Sequence, residues 1–157
     1  METLQIKKEA AITAHENAKS SGRKLLEDLF GKRTFQKDVM ERIKTFDDVL
    51  AELGTPRYYF DEGSKCLTED ETAYRKVKMI VQVLNEGWMP DWNDSNQTKY
   101  YPWFDMRGSS GSGFSCDDCD GWCSFSDVGS RLCFKSRELA EYAGKQFENI
   151  YKQFFTA

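Results

Sequence analysis

The sequence predicts an α+β fold: N-terminal helices, a small irregular antiparallel sheet, and a long C-terminal helix. Three observations carry this expectation. Thr45 with Asp48, and Thr68 with Glu71, each form a capping-box pattern ahead of apolar residues at helical spacing. Between Trp88 and Lys135 the helical pattern gives way to aromatic residues among turn formers. Beyond Ser136, the residues Leu139, Ala143, Phe147, Ile150, Tyr151 and Phe154 share one helical face. A chain of 157 residues suits one domain: 1–87 a mainly helical scaffold, 88–135 an aromatic, acidic, β-rich segment, and 136–157 a closing helix.

In chain order, Leu4, Ala11, Ala14 and Ala18 give a weak apolar stripe that Ser20-Ser21-Gly22 interrupts. Leu25, Leu26, Leu29 and Phe30 mark a second amphipathic segment ending at Gly31. A helical turn is expected over Asp38–Ile43. The box at Thr45 opens Phe46–Leu53, which Gly54 and Pro56 stop. After Thr68, Ala73, Val77, Ile80, Val81 and Leu84 line the inner face of a helix, with Gly87 as a left-handed terminator. Pro90, Pro102 and Asn93–Asn96 are turn formers. Lys99–Met106 and Asp127–Phe134 read as strands, and Arg107–Gly113 as a Gly/Ser loop. Ser136 caps the last helix.

Composition narrows the function. The chain is 39% apolar, 31% charged and 14% aromatic, within the range of folded proteins. All four tryptophans lie between Asn85 and Asp127, beside eight carboxylates and only Lys99 and Arg107 as cations. That window carries −6 in a chain of net −4, leaving +2 elsewhere. A nucleic acid partner needs a basic stripe, and here the most aromatic segment is acidic. No run approaches the ~20 apolar residues that span a bilayer, and the first ten residues lack a signal-peptide core. The expected location is the cytoplasm of the producing cell, with virion association compatible. Five cysteines do not form a closed disulfide framework.

Several patterns are candidates for chemistry. Cys116, Cys119, Cys123 and Cys133 have thiolate spacing that can surround zinc, although the paired C-x2-C knuckles of all-cysteine sites are incomplete. Cys133 also falls in an apolar run, where an inert buried thiol is the common outcome. Asp117, Asp118 and Asp120 do not follow a calcium-loop pattern. His15, the only histidine, lies far upstream on a helix and has no orienting acid in sequence. The Gly108–Gly113 stretch lacks the Lys-Ser/Thr of a phosphate loop. Tyr101, Trp103 and Phe104 suit core filling. Phe114, Trp122 and Phe125, set among Gly, Ser and Asp, have no burying periodicity and resemble a paratope of stiff rings amid adaptable polar groups. The expected ligand-binding set is therefore Phe114, Asp117, Asp118, Asp120, Trp122, Phe125, Arg131, Trp92 and Tyr100. Arg131 is expected to pair with Asp117, Asp118 or Asp127.

The stretches Asn85-Glu86-Gly87-Trp88, Lys99-Tyr100-Tyr101-Pro102-Trp103-Phe104 and Val128 through Gly144 resemble a family of uncharacterised proteins from phages and prophages of gut Bacteroides-type bacteria. The resemblance covers roughly the second half of the chain. It implies phage or prophage origin, and the family has no established enzymatic activity. A second stretch pair, Arg107-Gly108 and Gly129-Ser130-Arg131-Leu132, is similar to the ending of the C-type-lectin-like variable domains diversified by retroelements, with Ser130 where phenylalanine is usual. Adenine-directed mutagenesis of AAC codons reaches every residue except Lys, Glu, Gln, Met and Trp. Between Gly108 and Ser130 only Trp122 lies outside that set.

Three functions follow from these patterns. The first is a non-enzymatic binding module displaying the Phe114–Ser126 loop to a protein or small ligand, one of cationic character. The second is a small accessory protein stabilised by zinc on the cysteine cluster. The third is a host-takeover or counter-defence factor that sequesters a cationic protein or metabolite through cation–π contact.

Overall fold

The computed structural model describes residues 6–35, 38–107, 114–126 and 128–157. The fold class is the expected α+β, with eight α-helices and one two-stranded antiparallel sheet among the described residues. Where the sequence suggests a single domain, the chain separates into two compact units, Met1–Asp38 and Val39–Ala157.

The first unit holds α1 (Lys8–Asn17), α2 (Ser20–Phe30) and a 3-10 turn at Lys32–Phe35. Ser20-Ser21-Gly22, expected to interrupt the helices, is instead the first turn of α2. The break falls at Ala18 and Lys19, which are extended. Arg23 makes this break tight by donating to the carbonyls of His15 and Glu16 at the end of α1, the first of which also accepts the Ala18 N–H. His15 stacks on Phe35 with ring centroids 4.2 Å apart and bonds Glu27 at 3.0 Å, so it is a packed helix residue.

The second unit contains α3 (Val39–Arg42), α4 (Phe46–Glu52), α5 (Arg57–Glu62), α6 (Glu69–Leu84), β1 (Lys99–Asp105), β2 (Ser115–Trp122), α7 (Arg137–Gln146) and α8 (Glu148–Thr156). Both capping boxes form as read, at Thr45/Asp48 and Thr68/Glu71. Helix α6 is central and packs on α4, α7 and α8; α7 also lies against both strands. Ala73, Val77, Ile80, Val81 and Leu84 all enter the interior. They meet Phe46, Phe60, Phe104, Phe134, Leu139, Phe147 and Tyr151, each large ring contributing on the order of 1.5–3 kcal/mol by burial. Tyr142 Oη donates to the Ile43 carbonyl at 2.6 Å and Gln146 to that of Lys44 at 2.7 Å, tying α7 to the start of α4. The closing helical segment is divided at Phe147, whose φ of −114° and ψ of 25° leave the helical region.

The sheet differs from the expected pairing. Phe114–Ser126 is not a loop: Ser115–Trp122 is β2, paired antiparallel with β1. Asp127–Phe134 is not a strand; its described residues turn and bend, and its main chain joins the sheet through a bridge between Tyr100 and Phe134. The Gly108–Gly113 connection lies outside the described residues. A bulge between Trp103 and Phe104 explains why the β2 sequence looks unlike a strand. Trp103 faces Asp118 while Phe104 faces Cys116, so Asp117 is an extra residue. It shifts the alternation by one and lets Cys116 and Cys119, three apart, both turn inward.

The resembling stretches of the sequence meet in this unit. Asn85, buried at the end of α6, donates to the Cys133 carbonyl at 2.8 Å and accepts from Lys135 N–H at 3.0 Å. Tyr100 exchanges both main-chain bonds with Phe134. They form a framework that the hairpin projects from.

Tyr151 carries a buried hydroxyl with no hydrogen-bond partner among the described residues, and its burial pushes the phenol's ionisation far upward. Removing an unpaired buried hydroxyl relieves a desolvation penalty. Tyr151→Phe is expected to leave stability unchanged or raise it by about 1 kcal/mol in a urea titration. A loss above about 1 kcal/mol would mean the hydroxyl is bonded in solution.

Candidate functional site

Direct cross-strand partners lie on the same side of a sheet, so register assigns one hairpin face to Lys99, Tyr101, Trp103, Asp118, Asp120 and Trp122, with Lys99 buried at its edge. Tyr101 is buried at its base. The Trp122 indole N–H donates to the Tyr101 hydroxyl, and the Trp103 ring centroid lies 6.5 Å from that of Tyr101. Both indoles nevertheless keep large exposed areas, 52% for Trp103 and 44% for Trp122. Phe125, just past the strand, is 77% exposed. The face therefore offers rings fixed from beneath and open above.

The acids on this hairpin are not equivalent. Hydrogen bonds from Arg107, aided by its charge, hold Asp105 down at about 2. Arg137 donates to Asp118 at 3.1 Å. Asp117 and Asp120 make no ion pair among the described residues. Of the two, Asp120 lies on the aromatic face opposite Tyr101, while Asp117 is the bulged residue and its charge acts on Arg107.

Of the expected ligand-binding set, Asp117, Asp118, Asp120, Trp122 and Phe125 are brought together on the hairpin and just beyond it. Four others go elsewhere. Phe114 is a core residue at 5% exposure, stacked on Phe104 at 4.9 Å, because it sits where the strand begins and faces α8 rings. Tyr100 is half-buried and packs its ring against Gly121, where a Cβ would lie 3.0 Å from Tyr100 Cδ1. Trp92 lies under the Lys99 ammonium, 5.4 Å from its ring centroid. Lys99 is itself fully buried and donates to the carbonyls of Asp94 at 3.1 Å and Cys123 at 2.8 Å, so this pair fastens the loop before β1 to the end of β2. Arg131 is outside any strand and exposed, and it forms no pair with Asp117 or Asp118; Asp127 lies outside the described residues. Trp103, read as core filling, is the residue the sequence reading missed.

The four cysteines of the zinc reading are not gathered. Cys116 packs against α7, Cys123 Sγ lies 3.8 Å from Thr98 Oγ1, and Cys133 donates to the Ser130 carbonyl at 3.7 Å. Burial raises the Cys116 thiol to about 11 and pushes Cys119 and Cys133 up as well, so all three stay protonated near neutral pH. Among the described residues, only Asp118, Cys119 and Glu141 bring three potential metal ligands within 4.8 Å of one another. Arg137 already bridges those two carboxylates, 3.1 Å from Asp118 and 3.7 Å from Glu141, and supplies the positive charge there.

A separate cleft of about 630 Å³ runs along α6 toward Trp88 and Arg131. Among the described residues, no helix is long and apolar enough to cross a membrane. No protein-family model matches the chain, no curated protein matches it, and no solved structure matches its fold.

Proposed function

We propose that the protein is a non-enzymatic binding module whose β1–β2 hairpin grips a cationic partner, a protein segment rich in Lys and Arg. The observation that carries this reading is the pair of half-exposed tryptophans, Trp103 and Trp122, held against buried Tyr101 on the same face as Asp120, which makes no ion pair among the described residues. Ordered rings lose little entropy on binding and attract ammonium and guanidinium groups through their faces. Nearby carboxylates raise the encounter rate and disfavour anionic partners. Phage or prophage origin rests on the resemblance of residues 85–88, 99–104 and 128–144. Of the proposed contacts, Trp103 lies within those stretches and Asp120 and Trp122 lie outside them.

Octa-arginine serves as the test ligand in calorimetric titration. Trp122→Ala is expected to weaken its binding by about 2 kcal/mol, close to thirtyfold, and Trp103→Ala by a similar amount. Asp120→Asn should have a smaller effect, and Asp61→Asn, on α5, none. Unchanged binding by folded Trp122→Ala, or an equal loss in Asp61→Asn, would contradict the reading.

A further inference from the structure

The cleft along α6 has the opposite character to the hairpin. Among the described residues its walls carry Arg75, Lys78 and Arg131 and no acidic residue, in a chain of net charge −4. Its apolar surface comes from Met79, Trp88 and Met89. We propose that this cleft binds a small organic anion with a flat apolar body, an aryl carboxylate or aryl phosphate.

The size fits, since small-molecule sites typically span about 300–1,000 Å³ and this cleft is about 630 Å³. The cations are held in place. Arg75 donates to the Gly63 carbonyl at 2.7 Å and to Ser64 Oγ at 3.2 Å, with its guanidinium carbon 5.0 Å from the Phe60 ring centroid. Lys78 Nζ sits 4.6 Å from the Tyr74 ring centroid. Arg131 is exposed and makes no ion pair among the described residues. The nearby acid Glu86 does not compensate them, because Arg42 and Lys135 engage it at 3.2 and 3.3 Å.

The walls are also fixed to one another. Arg75, Lys78, Met79 and Gln82 are spaced to face one way from α6. Gly87, at φ 85°, turns the chain so that Trp88 follows directly, a conformation that costs glycine little. Asn85 ties the opposite wall at Cys133 to the end of the same helix. A flat ring can stack on half-buried Trp88 while its anionic head meets Arg131 and Lys78. A cationic ligand is repelled by the same groups.

The test titrates the full chain by calorimetry with 2-naphthoate, 2-naphthyl phosphate and neutral 2-naphthamide. Both anions are expected to bind at least about tenfold tighter than the amide, and the preference between them identifies the head group. Arg131→Glu and Lys78→Glu, both at solvent-accessible positions, should each weaken anion binding at least about tenfold. Trp122→Ala, on the hairpin, should leave it unchanged. Equal binding of the amide, unchanged binding by Arg131→Glu, or no binding of either anion at millimolar concentration would overturn the proposal.

Discussion

Replacing Gly144 by alanine is expected to destabilise the protein by about 1–2 kcal/mol, against the usual direction of such a change. In an ordinary helix interior, glycine to alanine gains roughly 1 kcal/mol. Here α7 lies so close to the hairpin that an added Cβ would stand 2.3 Å from Cys116 Sγ and 2.8 Å from Pro102 Cβ. Neither distance is accessible without displacement, and Pro102 is a rigid, buried ring. Overpacking in a well-filled interior typically costs about 1–3 kcal/mol, which outweighs the propensity gain. A thermal melt should therefore show a fall of roughly 2–8 °C. Cys116→Ala in the same chain removes the nearer obstacle and should recover part of the loss, a coupling that a double-mutant cycle measures. A neutral or stabilising Gly144→Ala would mean that α7 does not approach the strands this closely.

Asn85→Leu is expected to cost about 2–5 kcal/mol. The side chain is buried and bonds two main-chain groups of the irregular segment before α7, the Cys133 carbonyl and the Lys135 N–H. Leucine fills similar volume but pairs neither, and each buried polar group left open costs about 1–3 kcal/mol. Asn85→Asp separates the two bonds, since it keeps an acceptor for Lys135 and turns a second oxygen toward the Cys133 carbonyl. It should be destabilised as well, although its Lys135 bond is retained. Urea denaturation of both variants checks this; a loss below about 1 kcal/mol in Asn85→Leu would show that the segment does not depend on this bridge. Because residues 130–133 wall the anion cleft, both variants should also lose naphthoate binding.

How far the text of the chain revealed its structure depends on whether the cause was local. Thr45 with Asp48 and Thr68 with Glu71 satisfy helix-end donors within four residues, so those helix starts were readable. The inner face of α6 was readable for the same reason. Strand β2 was not, because Ser-Cys-Asp-Asp-Cys-Asp-Gly-Trp has the composition of a loop. Its extended form comes from pairing with β1, and the bulge at Asp117 hides the alternation. Val128–Phe134 failed in the opposite sense: its apolar residues looked like a strand, yet they reach the interior by an irregular path whose main chain Asn85 helps to satisfy.

The site was legible in kind more than in detail. The concentration of rings and acids pointed to the hairpin, and Trp122, Phe125, Asp117 and Asp120 are exposed on or beside it. Phe114 and Trp103 exchanged roles because exposure in a bulged hairpin follows register, which no local pattern encodes. The cleft is not legible in the sequence, since Arg75 and Lys78 come from α6 and Arg131 from a distant irregular segment.

The most direct test follows the four tryptophan indole N–H signals by two-dimensional nitrogen-correlated NMR during titration with octa-arginine. The account predicts that Trp103 and Trp122 shift together at low ligand concentration while Trp88 and Trp92 stay in place. Shifts confined to Trp88 or Trp92, or uniform small shifts with no preference for the hairpin pair, would contradict it.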